Sequence, residues 1–511
     1  MTGDSSPAAP TGAATAGPAR PAALSWLLLA AIVAVAIALR FLVAANTDVS
    51  WLLIVCDKIL SGQHLYADII ETNPPIAVWA YMPGTIIAHA FGLRAEMVTD
   101  VLVFAGAALS ALATARMLRP SAAVRKRSSA SLGLVCAFIL LVVPMQTFGQ
   151  REHIAFIAFL PALAGYILRA ERRSLPLWQI VVAGVGAGIT LAFKPYFVLA
   201  AGAAILAAAL HARSWRVLFV PENVIAGGLV LIYSLITYVC YPAYFTVIFP
   251  LVRDVYLPLK RPLGELLLSN GMLAWAAASV VTVLAIRARR PDTVTAVLLA
   301  GSIGFAVAYA LQRKGWSYQS YPMLALALIA LASELNTSAS RARPASRAGG
   351  LACLAALVIT TMLWMNDASS ARILEQPVRA LGPHPKVLAL TSEASIGHPL
   401  TRAVGGTWVS RQQGLWVREF VKRLRAEHLV DAKADAALDA YVARERTWLI
   451  EDVKRTPPTV ILVDNLLSDW GAWAAADPFF SDYLKRYRRV ATIQHIDILA
   501  LRDDAQPAAP E

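Results

Sequence analysis

Acidic and basic side chains recur beside one edge of successive apolar runs in this sequence. They form groups: Asp48, Asp57, Asp68 and Glu71; Gln150, Arg151, Glu152 and His153; Lys194 before Pro195; Arg253, Asp254, Lys260 and Arg261; and Gln312, Arg313, Lys314, Trp316 and Tyr318. A carboxylate next to a bilayer can take a proton from a hydroxyl. Arg and Lys at the same depth can hold a phosphate whose lipid tail stays in the membrane. Ionisable groups recurring on one face therefore point to a site for a charged, membrane-borne ligand.

Each group alone also has an ordinary reading. Asp48 directly follows an apolar run and suits a helix cap or a solvated loop. In "GQREHIAF", Arg151 and Glu152 suit an ion pair within one tight turn. Lys194 in "AFKPYF" suits a side chain snorkelling from a helix end. "QRKGWSYQSY" suits an interfacial anchor, with Trp316, Tyr318 and Tyr321 in an aromatic belt. His89 and His153 suit hydrogen-bonded structural roles.

The elements that must position these groups follow from composition. The chain has 511 residues, 58% hydrophobic and 15% charged, with mean hydropathy +0.57, which marks a polytopic membrane protein rather than a soluble domain. Net charge is +13, but the basic residues cluster between apolar runs. That is the pattern that orients membrane proteins, not a stripe that tracks nucleic acid. Of the four cysteines, Cys136, Cys240 and Cys353 lie in or beside apolar runs and Cys56 stands alone, so neither a disulfide framework nor a metal cluster is indicated.

Apolar runs cover 22–45, 75–92, 97–118, 130–149, 153–168, 177–193, 196–211, 222–241, 270–286, 293–311, 321–335 and 349–366. If all crossed the membrane from an inner N-terminus, "RMLRPSAAVRKR" would face outward, against the bias of Lys and Arg. The run at 75–92 opens with Pro74 and Pro75, is broken at Pro83-Gly84 and carries His89. Laid on the outer interface, it leaves about eleven spans. The clusters Arg116 to Arg127, Arg169 to Arg173, Arg213 with Arg216, Arg287 to Arg290 and Arg341 to Arg347 then all fall inside. The sequence thus predicts a disordered inner tail (1–21), an uncleaved first span, and a transmembrane domain (22–366). A long first outer loop (46–94) carries interfacial helices. A small extracytoplasmic α/β domain (367–505) and a frayed end (506–511) follow. In that domain "KVLALT" and "TVILVDNL" read as strands, while "QQGLWVREFVKRLRAEHL", "DAALDAYVARERTWLIEDVKR" and "DPFFSDYLKRYRR" have helical spacing.

An outer-face carboxylate beside phosphate-holding cations is what sugar transfer from a lipid phosphate requires. Its transition state carries positive charge on the sugar ring and growing negative charge on the departing phosphate. Two other readings stay open: a transporter or flippase of lipid-linked glycans, which would need charges near the bilayer midplane and broken helices in the bundle, and a non-catalytic envelope scaffold.

The stretch "NTDVSWLLIVCDKILSGQHLYADIIETNPPIAVW" resembles the first outer loop of the GT-C superfamily of polyprenyl-phosphate-sugar glycosyltransferases, which includes protein O-mannosyltransferases and lipid A aminoarabinose transferases. The shared features are an Asp after the first span, an amphipathic helix, a "G..LY.D" turn, and an acid before a Pro pair. "GQREH", "KPYF", "KGWSYQSYP" and "GGTWVSRQQGLW" are similar to later segments of bacterial members. The resemblance implies a GT-C-like α-helical membrane fold and an inverting glycosyltransferase. Its donor would be a polyprenyl-phosphate-linked sugar, and its acceptor a glycan, lipid or protein on the outer face of the bacterial cytoplasmic membrane. It makes Asp48 the acceptor-activating base and Glu71 a substrate-positioning acid. A divalent metal ion stays open as cofactor, with Glu71 and Asp48 as its ligands if one is used. Val49 after Asp48 and Asn73 before the prolines depart from the family pattern, where a second acid and a Lys or His are common. On this reading Asp68, Glu71 and Asn73 shape the acceptor side, and Arg151, Lys194, Arg313 and Lys314 hold the lipid phosphate, with Glu152 and His153 beside them. Trp408, Arg411 and Trp416 guide the acceptor or serve as ordinary core aromatics and a surface Arg.

Overall fold

A computed structural model describes residues 20–286, 290–337, 344–366, 371–430, 432–466 and 468–502. Of the predicted tail 1–21, residues 1–19 lie outside these residues, while Arg20 and Pro21 already belong to the first helix; 506–511, Arg287, Arg289, Arg341 and Arg343 also lie outside.

Each predicted span contains a helix: Arg20–Leu42, Ala95–Leu118, Ser129–Leu141, Arg151–Ala170, Leu177–Phe193, Val198–Ala212, Pro221–Cys240, Asn270–Ile286, Thr293–Gln312, Ser317–Leu335 and Pro344–Met365; the run 130–149 is helical only to Leu141 and ends in a 3₁₀ turn. Among the described residues, seven helical segments are long and apolar enough to cross a membrane. Burial separates them. Ala23–Leu42 is almost entirely exposed, as suits a helix facing lipid, whereas Arg151–Ala170 is mostly enclosed. Ser317–Leu335 is enclosed as well, so these two form the axis of the bundle. Small residues let helices approach closely: a Cβ on Gly304 would stand 2.5 Å from the Ala200 Cα, so Thr293–Gln312 and Val198–Ala212 meet backbone to backbone.

The segment 46–94 folds around the twin prolines. Asn46 caps the helix Thr47–Leu60, its side chain accepting from the amides of Asp48 and Val49. After the Pro pair come two short helices, Ile76–Trp79 and Met82–Phe91, the second closed by Gly92 in the left-handed conformation. Proline tolerates a helix start because its missing N–H is one the first turn leaves unpaired.

The C-terminal region forms a five-stranded sheet of order β2-β1-β3-β5-β4: β1 Lys386–Leu390, β2 Thr407–Trp408, β3 Val460–Asp464, β4 Tyr487–Ile493 and β5 Ile496–Leu501. β1 runs parallel to β2 and β3, and β5 antiparallel to β3 and β4. Helical spacing over "DPFFSDYLKRYRR" is only half correct: the helix Pro478–Tyr483 is followed by a short 3₁₀ turn, and Tyr487 opens β4. Pairing with β5 overrides local periodicity there.

The sheet is covered on both faces, so β1 and β3 read as unbroken apolar runs. Leu388, Leu390, Ile461 and Val463 pack on Leu449, Val453, Trp470 and Phe480. Val387, Ala389, Val460 and Leu462 instead share a core with Trp51, Leu52, Leu53 and Val55 of the first-loop helix. Arg402 clamps the joint, donating to Glu96 Oε1 at 2.6 Å and pairing with Asp57. The Ile70 amide donates to the Arg411 carbonyl at 2.8 Å.

Candidate active site

Between the first-loop helix, the starts of the two axial helices and the C-terminal domain lies a cavity of about 920 Å³. Asp48 enters it from the first turn of Thr47–Leu60. Its Oδ2 accepts from Gln150 Nε2 at 2.9 Å and Arg151 Nη2 at 3.0 Å. Its Oδ1 accepts from Gln413 Nε2 at 3.3 Å. Gln150 also donates to Asn46 Oδ1 at 2.8 Å, tying the cap of Thr47–Leu60 to the cap of Arg151–Ala170.

Consecutive helical residues point about 100° apart, and this separates Arg151 from Glu152. The expected pair within "GQREH" does not form. Arg151 turns to Asp48, while Glu152 turns to the Lys194 ammonium. Lys194 therefore does not snorkel: it is held by Glu152 and donates to Gln312 Oε1 at 3.2 Å. Burial lowers its pKa and the Glu152 charge opposes that shift. Arg151 Nη1 is buried without a protein partner, on a residue that lines the cavity.

Glu71 is buried against the same cavity and accepts from Trp51 Nε1 at 2.5 Å, the Asn73 amide at 2.7 Å and Asn73 Nδ2 at 2.5 Å. Burial raises its carboxyl pKa, and the nearby Arg151 and these donors oppose the rise. Asn73 thus sets the orientation of Glu71 as well as lining the cavity.

Lys314 lies on another wall with Lys260 and Arg423. Its Nζ donates to the carbonyls of Tyr256 and Leu259 at 2.5 and 2.6 Å and sits 3.9 Å from the centre of the Tyr256 ring. Burial, then repulsion from Lys260 and Arg423, lowers its pKa to about 8. No acid is among the groups holding this ammonium, in contrast to Arg151 and Lys194.

Other expected site residues lie away from the cavity lining. Asp68 is solvent-facing and bonded to the His64 amide at 2.8 Å and His64 Nδ1 at 3.1 Å. His153 points into the bundle, its Nε2 2.8 Å from the Leu140 carbonyl while its Nδ1 accepts from the Gly149 amide. Arg313 caps a helix in the left-handed conformation and donates outward to the Arg261 carbonyl. Glu152 stands behind Lys194. In the C-terminal domain, Trp416 lines the cavity, whereas Trp408 packs on His398 with ring centres 4.6 Å apart and Arg411 is locked to Asp452 and Glu451.

Sequence reading missed Gln413, Tyr256 and Arg423 as site residues. Gln413 and Arg423 sit in "QQGLWVREFVKRLR", where helical spacing is the visible signal; only the docking of the sheet on the first loop brings them to Asp48 and Lys314.

The donor set does not fit a divalent cation. No group of three or more His, Cys, Asp or Glu side chains with metal-holding geometry occurs among the described residues. The oxygens of Asp48 and Glu71 face N–H donors, which compete with a cation for the same lone pairs.

No family model matches the sequence, nor does any curated protein. Among the solved structures that share its architecture are ArnT from Cupriavidus metallidurans in the apo state (TM-score 0.57, 14% identity) and bound to undecaprenyl phosphate (TM-score 0.56, 15% identity). Each covers 96% of this chain and is itself covered in full. The chain therefore shares the fold of these ArnT structures, here an apolar helical bundle completed by a small C-terminal sheet domain.

Proposed function

We propose that this protein is an inverting glycosyltransferase that moves a sugar from a polyprenyl-phosphate donor to a hydroxyl of an envelope glycan, lipid or protein. The reaction takes place on the outer face of the bacterial cytoplasmic membrane. The observation that carries the reading is Asp48: a carboxylate oriented by Gln150 and Arg151, with its second oxygen turned toward Gln413 of the C-terminal domain, in a cavity whose lining also gathers cations.

Asp48 takes the acceptor hydroxyl proton as the acceptor oxygen bonds to the anomeric carbon of the sugar. The bond from that carbon to the phosphate oxygen breaks, and its electron pair leaves with the polyprenyl phosphate. One displacement inverts the anomeric centre. The leaving phosphate needs uncommitted positive charge. Arg151 and Lys194 are balanced by Asp48 and Glu152, and Arg423 is shared with Glu427 at 3.1 Å, so Lys314 and Lys260 supply the surplus, and Arg151 Nη1 offers one further donor.

The full-length ArnT fold likeness, with one neighbour holding undecaprenyl phosphate, supports this donor class. The test is consumption of polyprenyl-phosphate-linked sugar, followed by mass spectrometry in membranes of a deletion strain supplied with wild type or Asp48→Asn. The wild type consumes donor and forms glycosylated acceptor, and the variant does not. Equal consumption by both removes Asp48 from the chemistry.

A further inference from the structure

The loop 410–415 of the C-terminal domain is fixed at nearly every residue. The Arg411 amide and guanidinium donate to Asp452 at 2.7 and 2.9 Å, and the Arg411 carbonyl accepts from Ile70. The Gln412 carbonyl accepts from the Trp408 indole at 2.8 Å and the Gln412 amide donates to Ser410 Oγ at 3.1 Å. The Gln413 carbonyl lies 3.2 Å from His398 Nε2, and the Leu415 amide donates to the Thr391 carbonyl at 2.8 Å. What this scaffold delivers to the cavity is the Gln413 side chain, whose amide reaches Asp48 Oδ1.

That oxygen is the one the membrane helices leave open, because Gln150 and Arg151 both hold Oδ2. An acceptor hydroxyl must reach a carboxylate oxygen to lose its proton. It therefore approaches Asp48 from the side of Gln413, along the wall of Ser392, Glu393 and Trp416. We propose that Gln413 is a positioning residue for the transfer, holding Asp48 Oδ1 at rest and passing its N–H to the incoming acceptor oxygen. This rests on the glycosyltransferase reading and makes the C-terminal domain part of the acceptor site.

The experiment compares wild type, Asp48→Asn, Gln413→Leu and Gln413→Glu in the same membranes. Donor consumption is followed across pH, and undecaprenyl phosphate binding is measured on each purified protein. Gln413→Leu keeps the bulk and removes the donor N–H; it should slow transfer by roughly tenfold or more, as misplacement of a reacting group does, with undecaprenyl phosphate binding unchanged. Gln413→Glu places a second carboxyl beside Asp48, and two such groups share a proton. Its profile should gain a limb absent from the wild type. Tyr81, Arg151, Lys194, Tyr256, Tyr318 and His398 also act on or feel Asp48; they are common to all variants, so the new limb belongs to the introduced carboxyl. Wild-type rate in Gln413→Leu, a wild-type pH profile in Gln413→Glu, or loss of undecaprenyl phosphate binding in Gln413→Leu overturns the inference while wild-type turnover stands. Failure of the wild type to exceed Asp48→Asn overturns the underlying reading instead.

Discussion

Arg151 Nη2 donates to Asp48 Oδ2 at 3.0 Å across 103 residues of chain. The orientation of the proposed base is thus set by the first residue of another helix, not by its own loop. Arg151→Gln should lower transfer by roughly 100-fold through misplacement of Asp48. Donor consumption in membranes measures this, and unimpaired consumption would show that Gln150 and Gln413 suffice to orient the carboxylate.

Lys314 should contribute to lipid phosphate affinity through its charge. Its pKa is lowered to about 8, so the ammonium is intact below that value and lost above it. Undecaprenyl phosphate affinity should be flat up to about pH 7 and weaken as pH passes about 8. Lys314→Arg, which stays charged, should remove that limb, and Lys314→Ala should weaken binding by roughly tenfold or more, the effect of losing a charged hydrogen bond. Titration of purified protein with undecaprenyl phosphate at several pH values checks all three.

Glu152 and Lys194 form an enclosed ion pair, with Glu152 side-chain exposure of only 1%. Lys194→Met strands the carboxylate and should cost about 3–5 kcal/mol, as removal of one buried partner does. Lys194→Met combined with Glu152→Gln should recover most of that loss. Thermal unfolding in detergent distinguishes this coupling from two independent, additive effects.

Glu445 accepts from the amides of Val417 and Arg418 at 2.9 Å, at the start of the helix Trp416–Ala426 that carries Trp416, Phe420 and Arg423. Burial raises its pKa from 4.5 to about 7, against those amides and the Arg418 charge. A carboxyl whose folded pKa is raised stabilises fully below its unfolded value, and that contribution is lost as pH climbs through the folded one. The C-terminal domain should lose roughly 3 kcal/mol between about pH 4.5 and 7 through this group, and Glu445→Gln should flatten the window. Hydrogen exchange of helix Trp416–Ala426 against pH reads the difference.

Much of the architecture is legible in the sequence because a bilayer imposes length and polarity on each span. The apolar runs gave every bundle helix, and the twin prolines marked the start of the two short helices Ile76–Trp79 and Met82–Phe91. Unbroken apolar runs at "KVLAL" and "VILVD" marked β1 and β3. Asp48, Arg151, Lys194 and Lys314 stood out as charges beside apolar runs. Their partners did not, because which side chain meets which depends on contacts between distant segments: Arg151 chose Asp48 over its neighbour Glu152, and Lys194 chose Glu152 over the interface. Gln413 is the clearest case. It is neutral, and nothing local sets it apart from Gln412. Only the packing of the sheet on Trp51, Leu52 and Leu53 carries it to the carboxylate 365 residues earlier.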